Sequence, residues 1–153
     1  MRRHRLGLLS DVHGNELALD AVLRAIDRVG VDEIACLGDV ATLGPRPNEV
    51  VAKLAERCAY SIMGNHDEYL IDASSLSLHT TSPVSVGLPF ESFVGDSGPP
   101  TVLPHGEYAV IECTGTSTKV RLSRVELDPR ALAMQASGRA DTLQQSPSRW
   151  SLA

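Results

Sequence analysis

The stretch Leu6-Gly7-Leu8-Leu9-Ser10-Asp11-Val12-His13-Gly14-Asn15 decides how the chain is read. Its first half is short and continuously apolar, the pattern of a strand buried on both faces, and its second half is polar. Two later stretches repeat the design. Glu33 to Leu37 runs into Gly38-Asp39, and Ala59 to Met63 runs into Gly64-Asn65-His66-Asp67. His13 and Asp39 are 26 positions apart, as are Asp39 and Asn65. That interval suits the strand–helix repeat of a parallel sheet, about 30 residues per unit. The polar motifs are therefore expected along one edge of the sheet, where open α/β folds bind ligands.

Helices fill the intervals. Asn15 can cap the first, Leu19, Val22, Leu23, Ile26 and Val29 recur at helical spacing, and Gly30 stops it. Gly44-Pro45-Arg46-Pro47 turns into a second helix with Val50, Val51, Leu54 and Cys58 on one face. The order β-α-β-α-β predicts a parallel first half with right-handed crossovers. Beyond it, Asp72 to Pro83 shows no periodicity, Val84-Ser85-Val86 reads as a short strand, and Glu91 to Pro104 as loop. Tyr108 to Cys113 and Lys119 to Leu127 predict a β-hairpin. Its second strand carries apolar Val120, Leu122 and, after an irregularity, Val125 and Leu127. Pro129 to Ala136 closes with a short helix, so residues 1–136 are expected to form one domain and 137–153 a flexible tail.

Composition bounds the function. With 153 residues, 42% hydrophobic and 22% charged, the chain is ordinary for a soluble globular domain. The net charge is −5, and Arg2-Arg3-His4-Arg5 is the only basic run, which argues against a nucleic-acid surface. Cys36, Cys58 and Cys113 are isolated, as free thiols in a reducing compartment would be. The apolar run Leu6 to Leu9 is too short for a signal-peptide core or a membrane span, and a cytoplasmic location is expected.

The motifs carry hard-metal chemistry. Read as extended backbone, Asp11 and His13 point to the same side and can bind one ion together. Asp39 comes from the neighbouring strand and can bridge two ions, while Asn65 offers a neutral carbonyl oxygen. Such mixed O/N ligation suits Mn²⁺, Fe, Zn²⁺ or Ni²⁺ better than Ca²⁺. Two ions about 3.5–4 Å apart would activate a water for in-line phosphoryl displacement. His66 can protonate the leaving oxygen, with Asp67 orienting it; Arg46 reads as a surface charge at a helix start or as a phosphate contact. Taken singly, each piece has a plain structural reading: Gly-Asp makes a turn, and Gly-Asn-His-Asp makes a loop. In order and at strand ends, the combination is specific.

These stretches resemble the calcineurin-like metallophosphoesterase superfamily, in particular its small bacterial and archaeal phosphodiesterase branch. The resemblance is carried by Ser10 to Asn15, by Leu37-Gly38-Asp39 through Val50, and by Met63 to Asp67. Ser82 to Pro89 and the hairpin of Tyr108 to Asp128 add to it. It implies an αββα sandwich, small phosphate-ester substrates and two divalent ions. It makes Asp11 and His13 first-ion ligands, Asp39 the bridge, Asn65 a second-ion ligand and His66 the catalytic histidine. Leu43 stands where this branch usually places an aromatic residue.

The family's central region, with its Gly-His-x-His ligands, has no counterpart here. His79 is the candidate substitute ligand, His105 is expected in a surface turn, and His4 is a bystander. The second ion would rest on Asp39 and Asn65, so the chain is expected to hold one ion or two. The shortened sandwich should also expose apolar surface and favour a homo-oligomer. Two functional readings follow: a metal-dependent phosphoesterase with a reduced site, or a non-catalytic metal-binding remnant or scaffold.

Overall fold

The computed structural model describes residues 3–42, 44–71, 101–102, 104–135 and 151–152. Leu43, His79 and the strand expected at Val84 to Val86 lie outside them. Along the chain run β1 (Arg3–Leu9), α1 (Glu16–Val29), β2 (Glu33–Cys36), α2 (Pro47–Arg57), β3 (Tyr60–Ser61) and α3 (Asn65–Ile71). Then come β4 (Thr101–Val102), β5 (His105–Thr114), β6 (Ser117–Glu126), the helix α4 over 129–135, and β7 (Ser151–Leu152).

Five strands form one mixed sheet in the order β3-β2-β1-β5-β6. β1 pairs in parallel with β2 and antiparallel with β5, with Leu8 opposite both Ala35 and Ala109. The parallel first half and the hairpin are therefore both present, joined through β1 at the centre. β4 and β7 make a separate two-stranded ribbon.

α1 forms where the apolar spacing places it. Asn15 Oδ1 accepts the Ala18 N–H at 3.0 Å, and Gly30 ends the helix in the left-handed conformation at φ 73°. The helix buries Leu19, Val22, Leu23 and Ile26 against Leu9, Ile34 and Cys36 of the sheet, and α2 adds Val50 and Leu54. Burying each large side chain contributes roughly 1.5–3 kcal/mol, so this layer is the main source of stability. Leu132 of α4 packs with Ala18, Ala21 and Leu127 in a smaller cluster.

Several expectations are corrected. β3 is only two residues, because its pairing with β2 stops at Cys36 opposite Ser61. Val51 is exposed, since the α2 face that meets the core is narrow and takes only Val50 and Leu54. Asn65, His66 and Asp67 are not loop; they open α3. The hairpin has no irregularity: its register runs one to one from His105 opposite Glu126 to Thr114 opposite Ser117. Val120 and Leu122 of β6 are 62% and 81% exposed, on the sheet face away from α1. Thr101 and Val102 lie in the stretch read as loop and pair as β4.

Cys36 and Cys58 pack in the same core, and burial raises both thiols, Cys58 to about 11 from 9.0. The unfolded chain releases these protons first. Stability should therefore hold below about pH 9 and fall as pH rises toward about 11. Urea midpoints across that range test this, and a midpoint independent of pH would refute it. Exposed Cys113 should react with a thiol reagent at pH 8 well before the other two.

Candidate metal centre

The loops that follow β1 and β2 continue the pairing of those strands past their ends. The Asp11 N–H donates to the Gly38 carbonyl at 3.0 Å, His13 to Asp39 at 2.9 Å, and Gly14 to Val40 at 2.8 Å. This zipper sets the first two motifs side by side. It also bends them: Asp11, His13 and Asp39 have φ of 55°, 46° and 56°. Among the described residues they are the non-glycine ones with positive φ, and each costs roughly 1–2 kcal/mol over ordinary backbone. The expectation that Asp11 and His13 converge as extended i and i+2 neighbours is thus corrected. They converge through left-handed turns, and strain gathered on three chemically equipped residues marks a functional constraint.

The result is a cluster. One ligand atom each from Asp11, His13 and Asp39 lies within 4.8 Å of the others. Asp11 is exposed and His13 is buried, so one carboxylate faces solvent while the imidazole comes from inside. His13 Nδ1 lies 2.9 Å from Thr42 Oγ1, and its Nε2 lies 3.8 Å from Asp11 Oδ1. The His13 and His66 rings meet edge to face, centroids 5.0 Å apart at 80°. Burial, with the His66 charge, pulls the His13 pKa below 6.5 against the opposing pull of Asp39, Asp11 and Asp67. A neutral imidazole at pH 7 has the lone pair that a cation needs.

The third motif closes over the second. Asp39 Oδ1 accepts the His66 N–H at 2.8 Å. Asp67 engages backbone with both oxygens: Oδ2 takes the N–H groups of Asp39 at 2.8 Å and Gly64 at 3.0 Å, and Oδ1 takes Val40 at 2.8 Å. The loops approach so closely that a Cβ on Gly64 would overlap the Asp39 carboxylate. Gly44 sits equally tightly on the His13 carbonyl and Gly14.

Of the residues selected from sequence, Asp11, His13, Asp39, His66 and Asp67 come together here. Asn65 is exposed at the first position of α3, next to them in the chain. Arg46 is anchored to the same loops by its N–H to the Gly14 carbonyl at 3.0 Å, while its exposed guanidinium pairs with Glu49 at 3.1 Å. His105 is corrected: it is buried at the start of β5, with Nε2 3.4 Å from Glu107, because β5 begins three residues before the expected strand. His4 pairs with Asp32 and Glu33 at the surface.

Two contributors were missed. Thr42 sits in a loop with no motif of its own. Gln135 reaches from α4 to the site's first helix, donating to Asn15 Oδ1 at 2.9 Å and accepting the Leu17 N–H at 3.2 Å. Nothing in the spacing of a residue 120 positions away signals that contact.

The sequence profile of the calcineurin-like phosphoesterase family matches residues 4–150. An uncharacterised protein of Methanocaldococcus jannaschii, MJ0912, is 38% identical over 76 residues, covering 50% of this chain and 31% of that protein. The chain thus matches about a third of that relative's length. A metallophosphoesterase structure from Sphaerobacter thermophilus superposes with a TM-score of 0.59 at 19% identity. The likeness covers 95% of this chain and 97% of the other, and it supports the fold.

The close approach at Gly64 gives a test. Gly64→Ala should cost about 1–3 kcal/mol by overpacking against Asp39, and it should weaken divalent-ion uptake. Gly30→Ala meets nothing within 4 Å and carries only its backbone strain at φ 73°, so ion uptake should be unchanged. Urea denaturation with calorimetric ion titration separates them, and equal effects on uptake would contradict the geometry.

Proposed function

The chain belongs to the calcineurin-like phosphoesterase family, and we propose on that footing that it is a metal-dependent hydrolase of small phosphate esters, phosphodiesters in particular. The observation that carries this reading is the Asp11–His13–Asp39 cluster, built on three left-handed residues. Two carboxylates and a neutral imidazole fit a first-row divalent cation, and Mn²⁺ is the ion proposed. When bound, such an ion lowers the pKa of a water and offsets charge on the phosphoryl oxygens.

The side chains then divide the work. Asp11, His13 and Asp39 hold the first ion, and Asp39 with Asn65 offers oxygens to a second. His66, in ring contact with His13, stands ready to give a proton to the leaving oxygen. Asp67 acts through the Asp39 backbone that it holds. Arg46, exposed beside the Gly14 loop, can turn from Glu49 toward a substrate phosphate. His79 keeps its proposed place as a substitute ligand. Three free thiols suit a reducing cytoplasm, and no helix among the described residues is long and apolar enough to cross a membrane. The exposed Val120 and Leu122 support a homo-oligomer.

The test is hydrolysis of bis(p-nitrophenyl) phosphate with Mn²⁺. Turnover should disappear on chelation and fall at least about 100-fold in Asp39→Asn, which removes the central charge from the cluster. Equal rates in wild type and variant would end the proposal. Titration calorimetry should find one tightly bound Mn²⁺ per chain. Uptake without turnover would instead favour a non-catalytic metal-binding protein. Light scattering checks assembly, with Leu122→Asp expected to yield monomer.

A further inference from the structure

The orientation of His13 is set from outside the three motifs. Thr42 lies three residues past Asp39, on the connection between β2 and α2, and its Oγ1 is 2.9 Å from His13 Nδ1. A neutral imidazole carries one hydrogen on two nitrogens. The nitrogen that donates a hydrogen bond leaves the other with its lone pair. The nitrogen turned toward the carboxylate cluster is Nε2, 3.8 Å from Asp11 Oδ1 and beyond hydrogen-bond distance.

We infer that Thr42 is a positioning residue: its hydroxyl accepts the His13 Nδ1–H, fixes that tautomer and the ring's rotation, and so presents the Nε2 lone pair to the cation. The inference rests on the metal-centre reading above and adds a residue to it.

The surroundings make Thr42 a firm support. Its carbonyl accepts the Gly44 N–H at 2.8 Å, closing a tight turn. Gly44 in turn presses on the His13 carbonyl and on Gly14, so the Thr42 turn is keyed into the loop that it serves. The His13 ring also meets the His66 ring, edge to face. His13 is only 7% exposed, so water does not compete freely for Nδ1. A hydrogen bond on the far nitrogen of a ligating histidine fixes its tautomer and raises its basicity, and its loss typically weakens metal binding by 10- to 100-fold.

The experiment uses the full chain, ¹⁵N-labelled at histidine, with Thr42→Val and Thr42→Ser. Histidine tautomers are read by NMR on metal-free protein at pH 8, Mn²⁺ affinity by calorimetry, and the thermal midpoint alongside. The expected result is His13 as the Nδ1–H tautomer in wild type. Thr42→Val should lose that preference and bind Mn²⁺ about 10- to 100-fold more weakly at little change in midpoint, while Thr42→Ser restores both. Thr42→Val with wild-type tautomer and affinity overturns the inference. Should that variant fail to fold, the wild-type spectrum decides alone, because His13 found as Nε2–H overturns the inference. A wild type that takes up no Mn²⁺ overturns the metal reading and this role with it. A wild type that takes up Mn²⁺ with His13 as Nε2–H overturns the role of Thr42 alone.

Discussion

The carboxylate of Asp67 holds the site in shape. It gathers three backbone N–H groups, from Gly64 ahead of α3 and from Asp39 and Val40 beyond β2, onto one negatively charged group. A hydrogen bond to a charged acceptor is worth roughly 1.5–3 kcal/mol, so this set is well able to offset the roughly 1–2 kcal/mol of strain at Asp39. It acts together with the zipper between the first two loops and with the His66 N–H on Asp39 Oδ1, which hold the same residue from the other directions. The glycines follow from the same constraint, because loops drawn this close leave no room for a Cβ at position 64.

The site therefore draws its accuracy from backbone, with side chains used twice over. Asp39 both faces the cluster and accepts the His66 N–H. His13 belongs to the cluster and also lies against His66 and Thr42. Asn15 caps α1 and receives Gln135, so α4 is tied to the helix that leaves the first loop. Such sharing leaves little freedom to any one residue. A substitution at Thr42 removes a contact to His13, and one at Gln135 removes contacts to Asn15 and Leu17.

Much of this was legible in the sequence, for a physical reason. Apolar runs ending in polar motifs at even intervals describe a parallel β-α-β-α-β unit, and Asn15 and Gly30 mark the ends of α1 where the structure has them. The cluster residues were readable by type, since few other chemistries need Asp, His and Asp at strand ends. Their geometry was not, because side-chain periodicity says nothing about φ. α3 escaped because its seven residues are too few to show a helical period. Ala59 to Met63 reads as a strand by its apolar content, yet Tyr60, Ile62 and Met63 are exposed at the sheet's edge, where apolar content does not imply burial. Val120 and Leu122 misled in the same way on β6. His105 turned inward because its strand starts earlier than the apolar pattern does.

The position of β1 has a consequence for how the chain is made. β1 is the middle strand, and its neighbour on one side is β5, whose residues 105–114 are synthesised about a hundred positions later. At the usual pace of roughly 5–20 residues per second, the emerging chain carries a β1 edge with unpaired N–H and C=O groups for several seconds. During that interval the three motifs are already outside the ribosome, and the site's sheet is still half built. Pairings this distant in sequence also slow folding of the finished chain. The exposed edge is the point at which another nascent strand would compete with β5, so for this protein the timing of β5 bears on yield as much as its sequence does.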